Sequence, residues 1–569
     1  MRKLAKRLGA LLLATLMLVG ATLSAGAVEA NDELTGTNHS FEKVTVRVNG
    51  LSTGDTVKAY RLMQYNDTNY NSYTVDQNFT SFMETEYKQS TPADIASYLS
   101  NQEPAEMNTI LEKFVAKCSE KTYNLPNVYT TDTAHSSEAE LKLDPGYYLL
   151  LVSTTNTNSR VYKPMSVFVR VDGNQTIVYG GNNKTALTAK DGVYTIQSKS
   201  ENGPSIDKKT KGAQGTAWKD TGTAAVGNTV PFYVAVTIPS YKDITKMNLW
   251  VNDTLTNMKY VDGSAKVYTA VPGTDGAEEI ADAVTLEKNS GYNLSENGKT
   301  GTQNLKFALD YNKIVKNKDV QTVVYLYYEA TVQKEAVHSG GNSGTNSAKL
   351  EYANAATPDS KMETDPNTTT VYDYNFILKK FKGNSESPLA GAMFSIYKTE
   401  QDAKDQKNPI QFIKDKNGSE YYRPLDDLDN AGSADVTTEM EAKFEISGLD
   451  AGTYYIREVS TPAGYYQPNS YFTVTLTSKL EGDKDTGKLD ATSSKMTANN
   501  DSDQALIVGE GGNVTGDHLN TLEVSLKNST NPSLPTTGGM GTMLFTIGGI
   551  ALMGLAAYMF FFHKKRATK

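Results

Sequence analysis

Two uncharged apolar runs, one near each end, decide which part of this chain can fold in water. Near the start, Arg2, Lys3, Lys6 and Arg7 precede the apolar stretch Leu8 to Leu23. Small residues follow in Ser24-Ala25-Gly26-Ala27-Val28-Glu29-Ala30, with cleavage points after Ala27 or Ala30. This is the layout of a secretory signal peptide, so residues 1–30 are set apart from the fold and the mature chain is expected outside the cell. Near the end, Met540 to Phe562 holds no charged residue, which is long enough to cross a bilayer as a transmembrane helix, and His563-Lys564-Lys565-Arg566 follows at once. The basic tail should stay cytoplasmic.

The stretch between these ends predicts about three domains at the usual domain size. An exported chain whose one cysteine is Cys118 can form no internal disulfide, so covalent bracing has to come from other chemistry. Cys118 closes a helical pattern in Pro104–Glu120, where Met107, Ile110, Leu111, Phe114, Val115 and Cys118 share one face; a buried, inert thiol is expected there. The net charge of −9 argues against a nucleic-acid partner. The histidines His39, His135, His338, His518 and His563 are scattered, and neither HExxH nor Gly-x-Ser-x-Gly occurs. No enzyme, metal site or cofactor is expected.

Tyr, Thr, Val and Asn are abundant, and short alternating strands parted by Gly, Asn and Asp give the pattern of an all-β chain of tandem β-sandwiches. The first unit, residues 31–203, carries strands at Val44–Val48, Ala139–Leu143, Gly146–Leu151, Val167–Val171 and Tyr194–Gln197. It has the short helix inserted between strands and ends at a linker, Glu201 to Pro204. The second, 204–373, has Thr229–Pro239 and Thr322–Tyr328 as strands and closes in the polar stretch Thr357 to Thr370. The third, 374–530, runs through Phe376–Leu378, Met393–Tyr397, Phe444–Ile446, Tyr454–Ile456, Phe472–Leu476 and Leu522–Leu526. Residues 531–569 form the tail.

In a strand, residues two apart share a face, so a polar residue in phase with apolar ones is aimed at the core. In the third unit Lys380 is in phase with Phe376 and Leu378, Glu458 with Tyr454 and Ile456, and Asn528 with Leu522, Val524 and Leu526. Burying any one of them alone would be costly. Together they can react: an apolar surround favours neutral amine and protonated acid. The Lys380 amine then attacks the Asn528 carboxamide while Glu458 donates to its carbonyl and shuttles protons, ammonia leaves, and an isopeptide bond remains. Closing a loop of 148 residues is worth roughly 5 kcal/mol by the chain-entropy account. Strand phase favours Lys380 over Lys379, a choice that a one-residue bulge would reverse.

Three stretches of the third unit carry a resemblance. Leu378-Lys379-Lys380-Phe381 with Pro388-Leu389-Ala390-Gly391-Ala392-Met393-Phe394-Ser395-Ile396-Tyr397 resembles the start of a Cna B-type, immunoglobulin-like domain. Tyr454 to Tyr465 resembles that family's E-box, and Val524-Ser525-Leu526-Lys527-Asn528 its asparagine-bearing strand. The second unit repeats the plan. Ile206 is in phase with Lys208, Leu249 and Val251 with Asp253, and Asn346, Ala348, Leu350, Tyr352 and Asn354 share a face. This is similar to the fimbrial isopeptide-forming domain of pilin shafts, which implies Lys208 joined to Asn346 with Asp253 assisting, and Asn354 as the other acceptor. The first unit offers no such triad.

The tail completes the resemblance. Leu534-Pro535-Thr536-Thr537-Gly538, then the apolar span and the basic end, resemble the sorting signal of Gram-positive surface proteins. That resemblance implies a sortase as partner, attack at the Thr537 carbonyl, a precursor held transiently in the membrane, and a product fixed at the cell wall. If the receiving amine belongs to peptidoglycan, the chain is a monomeric wall-anchored adhesin or minor pilin. If it is a lysine of an identical subunit, the chain is the backbone of a covalent fimbria whose base joins peptidoglycan or a basal pilin. Shaft pilins carry the receiving lysine in a Tyr-Pro-Lys motif late in the first domain; here Ile196-Gln197-Ser198-Lys199 stands in that place, with Lys190 as the neighbouring choice. A host surface ligand is left open, since nothing in the sequence names one.

Overall fold

The computed structural model describes residues 42–564 apart from 67–72, 155–159, 173–174, 181–185, 242–243, 245, 271–283, 300, 338–343, 355–360, 384, 418, 440 and 531–539. The signal peptide, the pentapeptide 534–538 and the end of the basic tail therefore lie outside the described residues. The fold is mostly β, with its longer helices in the first unit and at the apolar tail.

In the first unit the strand Val44–Asn49 lies between Val193–Gln197, parallel to it, and Glu138–Leu143, antiparallel. This small sheet faces a larger one built on Thr56–Tyr65, Gly146–Ser153 and Met165–Asp172. Val46 and Val48 from one sheet and Ala59, Tyr148 and Leu150 from the other fill the space between. The strand Gly146–Ser153 has no polar face in Tyr147 to Val152, because helices cover its far side and both faces are buried. Three helices do this, where the sequence predicts one: Gln77–Tyr87, Pro92–Ser100 and Pro104–Ser119. The first two start at side-chain caps, Asp76 accepting from the Phe79 amide and Thr91 from the Asp94 amide. Each is short, so its apolar period is weak. Cys118 is half-buried against this helical cluster, and burial pushes its thiol up to about 12.

The second unit is a two-sheet sandwich. One sheet orders Ser205–Thr210, Thr229–Ile238, Thr322–Val332 and Lys266–Ala270; the other centres on Asn367–Tyr372, Gly344–Asn354, Met247–Thr256 and Thr302–Asp310. Two polar stretches turn out to be built in. Thr357 to Thr370 holds the strand Met362–Glu363 and runs into the strand Asn367–Tyr372, whose Thr369 and Val371 are fully buried. The supposed linker is also held: Ser200–Asn202 pairs with Arg160–Tyr162, and the Asn202 carbonyl accepts from the Tyr241 hydroxyl at 2.6 Å. Polar composition misleads here because strand pairing with neighbours far away in sequence fixes these segments.

The third unit is again two sheets. Tyr374–Lys382 lies parallel to Thr521–Asn528 in one, and Gly452–Ser460 pairs with Met393–Tyr397 and Phe472–Leu476 in the other. A bulge falls between Tyr374 and Phe376, ahead of the critical row, so Phe376, Leu378 and Lys380 stay in phase. The apolar tail forms the helix Met540–Lys564. Its side chains are described only for 546–560, and among the described residues no helix is long and apolar enough to cross a membrane.

Candidate cross-linking sites

Parallel pairing of Tyr374–Lys382 with Thr521–Asn528 brings the ends of two inward rows side by side, Lys380 opposite Leu526 and Lys382 opposite Asn528. Glu458 comes from the facing sheet, next to Phe394. Lys380, Glu458 and Asn528 are all fully buried. Lys380 Nζ donates to Glu458 Oε2 at 2.9 Å and to Asn528 Oδ1 at 2.5 Å, over the Phe394 ring. Burial holds the Lys380 amine below its ordinary value, against the pull of Glu458. Lys379 points the other way and pairs with Glu523 at 2.6 Å.

One detail departs from the sequence expectation. It is the amide nitrogen of Asn528, not its carbonyl, that faces Glu458: Nδ2 donates to Oε1 at 2.7 Å. This suits an ammonium–carboxylate pair at rest, since each charge meets the matching end of the carboxamide. For Glu458 to donate to the carbonyl, the carboxamide has to make a half-turn that exchanges Oδ1 and Nδ2. Thr461, which the sequence reading passes over, donates to Glu458 Oε1 at 2.7 Å and steadies the carboxylate.

In the second unit Lys208 stands on one sheet while Asp253 and Asn346 lie diagonally on adjacent strands of the other, Asp253 opposite Ala348 and Leu255 opposite Asn346. All three are buried. Lys208 Nζ donates to Asp253 Oδ2 at 2.7 Å, and burial lowers the amine. Lys208 and Asn346 are linked through a residue the sequence reading missed: Tyr328, whose hydroxyl accepts from Lys208 Nζ and from Asn346 Nδ2, both at 2.6 Å, and donates to Asp253 Oδ2. Its inward direction was legible, since Tyr328 is in phase with Val324, Leu326 and Ala330. What its hydroxyl meets depends on the opposite sheet. Asn354 is at the far end of its strand, opposite Met247, away from Lys208 and Asp253.

The two candidate acceptor lysines differ in exposure. Lys199 is partly exposed as a residue but its Nζ is buried, whereas Lys190 is exposed in the turn before Val193–Gln197. Among the described residues no group of His, Cys, Asp and Glu is placed to hold a metal ion.

Two buried lysine–acid–asparagine clusters between sandwich sheets, in a chain with an export signal and a C-terminal anchor, define a class: wall-anchored surface proteins built of tandem β-sandwiches. The comparisons agree with that class. Residues 374–494 match the family described as a prealbumin-like fold domain, SpaA, and residues 526–567 match the LPXTG cell wall anchor motif. The chain is a cell wall-anchored surface protein. It is similar to the trypsin-resistant surface T6 protein of Streptococcus pyogenes serotype M6, at 22% identity over 468 residues, covering 72% of this chain and 76% of that one. The solved T6 backbone pilin of serotype M6, described as a modular three-domain structure, superposes with TM-score 0.51 at 14% identity over 87% of this chain and all of that one. The full-length major pilin SpaD of Corynebacterium diphtheriae gives 0.45 at 16% identity, over 87% and 99%. The fold is that of a backbone pilin.

Proposed function

We infer that this chain is the backbone subunit of a covalent pilus. A sortase would join Thr537 to a lysine on the first unit of the next subunit, and Lys380–Asn528 and Lys208–Asn346 isopeptide bonds would brace the shaft from within. The observation that carries this reading is the buried third-unit cluster, Lys380 Nζ at 2.5 Å from Asn528 Oδ1 with Glu458 on both nitrogens, its asparagine at the start of the segment that matches the anchor motif. A covalent brace that survives reduction suits a secreted chain with a single cysteine. Support also comes from the likeness to T6, which is itself named a backbone pilin. Each bond forms once, inside its own core, so the chain acts as a structural protein and not as an enzyme with turnover.

The acceptor follows from accessibility. A resolving amine has to reach the acyl-enzyme, so buried Nζ of Lys199 would serve only after local opening, while exposed Lys190 is ready. The test is an immunoblot of enzymatically released cell wall, boiled in detergent and reductant, from wild type, Lys199→Arg and Lys190→Arg. A wild-type ladder that collapses in one variant identifies the shaft and its acceptor. One wall-linked band in wild type would refute polymerisation and leave an anchored adhesin.

A further inference from the structure

The acids of the two clusters differ by one methylene, and the difference has a chemical consequence. In the third unit the two oxygens of Glu458 divide between the reacting nitrogens, Oε2 on the Lys380 amine and Oε1 on the Asn528 amide nitrogen. Asp253 is shorter. Its Oδ2 meets the Lys208 amine, while its Oδ1 is buried with no hydrogen-bond partner among the described residues, as is Asn346 Oδ1. The gap between acid and amide is filled by the Tyr328 hydroxyl, which donates to Asp253 Oδ2 and accepts from Asn346 Nδ2 at 2.6 Å.

We propose that Tyr328 is a catalytic residue of the second-unit cross-link, a relay that carries a proton from Asp253 to the departing amide nitrogen of Asn346. The proposal rests on the reading that Lys208 and Asn346 become joined. From neutral Lys208 and protonated Asp253, Nζ attacks Cγ of Asn346 and the Nζ–Cγ bond forms. Tyr328 gives its hydroxyl proton to Nδ2 and takes the Asp253 proton in its place. The Cγ–Nδ2 bond breaks, ammonia leaves, and Asp253 is reprotonated by the proton that Nζ loses. Tyr328 and Asp253 end as they began. Burial holds the phenol well above its ordinary value, so it stays protonated until that step. Its oxygen already touches all three groups, donating to Asp253 and accepting from Lys208 and Asn346; the bonds to Asp253 and Asn346 reverse once Asp253 is protonated and Nδ2 has become an amine. Its ring packs against Phe232, Tyr260 and Phe307, contacts that phenylalanine would keep.

The test follows the Lys208–Asn346 peptide by mass spectrometry in digests of the full-length chain, sampled over time after synthesis. The Lys380–Asn528 peptide of the same molecules is the internal control. Trp218 and Trp250 are the chain's two tryptophans and both lie in the second unit, so their fluorescence reports whether that unit folds. Tyr328→Phe should slow joining in the second unit roughly 100-fold or more, the usual loss for a missing proton-transfer group, and leave the third unit unchanged. Adding Asp253→Glu to Tyr328→Phe should restore joining, because the longer acid reaches both nitrogens as Glu458 does. Joining at the wild-type rate in Tyr328→Phe overturns the relay. So does a double variant with native fluorescence that fails to join. A wild-type chain with no joined Lys208–Asn346 peptide instead removes the cross-link reading itself, and the relay falls with it.

Discussion

Lys380 is a residue that a folded protein keeps in its core only at a cost, unless it is paired or consumed by reaction. Removing the acceptor exposes that cost. In Asn528→Ala the Lys380 amine stays titratable, and its folded value lies below the ordinary 10.5. Between the two values the unfolded chain binds more protons than the folded one, so stability rises with pH across that window and is lowest below it. Denaturant midpoints of Asn528→Ala should therefore climb towards wild type as pH is raised towards 10.5, since a lysine linked as proposed has no such titration. A difference that stays flat or widens would mean that Lys380 is not the buried amine that reacts. Lys380 itself was legible, because period-two alternation carries it inward; the amide orientation of Asn528 and the Thr461 contact were not, since both depend on Gly452–Ser460 crossing from the facing sheet.

At the scale of elements, the helices of the first unit are held by aromatic packing more than by their own propensity. Phe114 on Pro104–Ser119 lies 5.1 Å from Phe79 and 5.2 Å from Phe82, ring centre to ring centre, and all three are fully buried. Phe114→Ala should cost about 3–5 kcal/mol, read as a lowered denaturant midpoint of the first unit with the second and third unaffected. A loss below about 1 kcal/mol would mean that the helical layer is not integral to this core. The long helix declared itself through its apolar period. The two shorter ones declared only their caps, Asp76 and Thr91-Pro92, since two to three turns offer too few residues for a period to stand out.

In the whole molecule, the units also touch one another. Asp427 of the third unit accepts from Lys259 at 2.6 Å and from Gln333 at 2.8 Å, and Lys484 pairs with Asp220 at 2.6 Å. Backbones meet directly as well, the Val226 amide donating to the Gly448 carbonyl at 3.0 Å. Gly448 has φ of +82° there, and a Cβ would come within 2.7 Å of the Val226 side chain. The proposed covalent braces should dominate all of these: at roughly 5 kcal/mol per closed loop, Lys208→Ala with Lys380→Ala should lower the unfolding temperature of both units sharply. Wild type should unfold at the same temperature with and without reductant. Calorimetry reads both, and a double variant as stable as wild type would exclude load-bearing cross-links.

The sequence by itself determined the export and anchor signals, the β class, and the inward direction of Lys380, Glu458, Asn528, Lys208, Asp253 and Asn346. Each of these is a local property, set by charge order or by strand period. Tertiary structure alone decided that Tyr328 stands between Lys208 and Asn346, that the polar segments at 200–202 and 367–372 are strands, and that the Lys199 amine is buried while Lys190 is open. The physical reason is that alternation says which way a side chain points within its own sheet, whereas the group it meets is supplied by a strand far away in sequence, and no local pattern encodes that encounter.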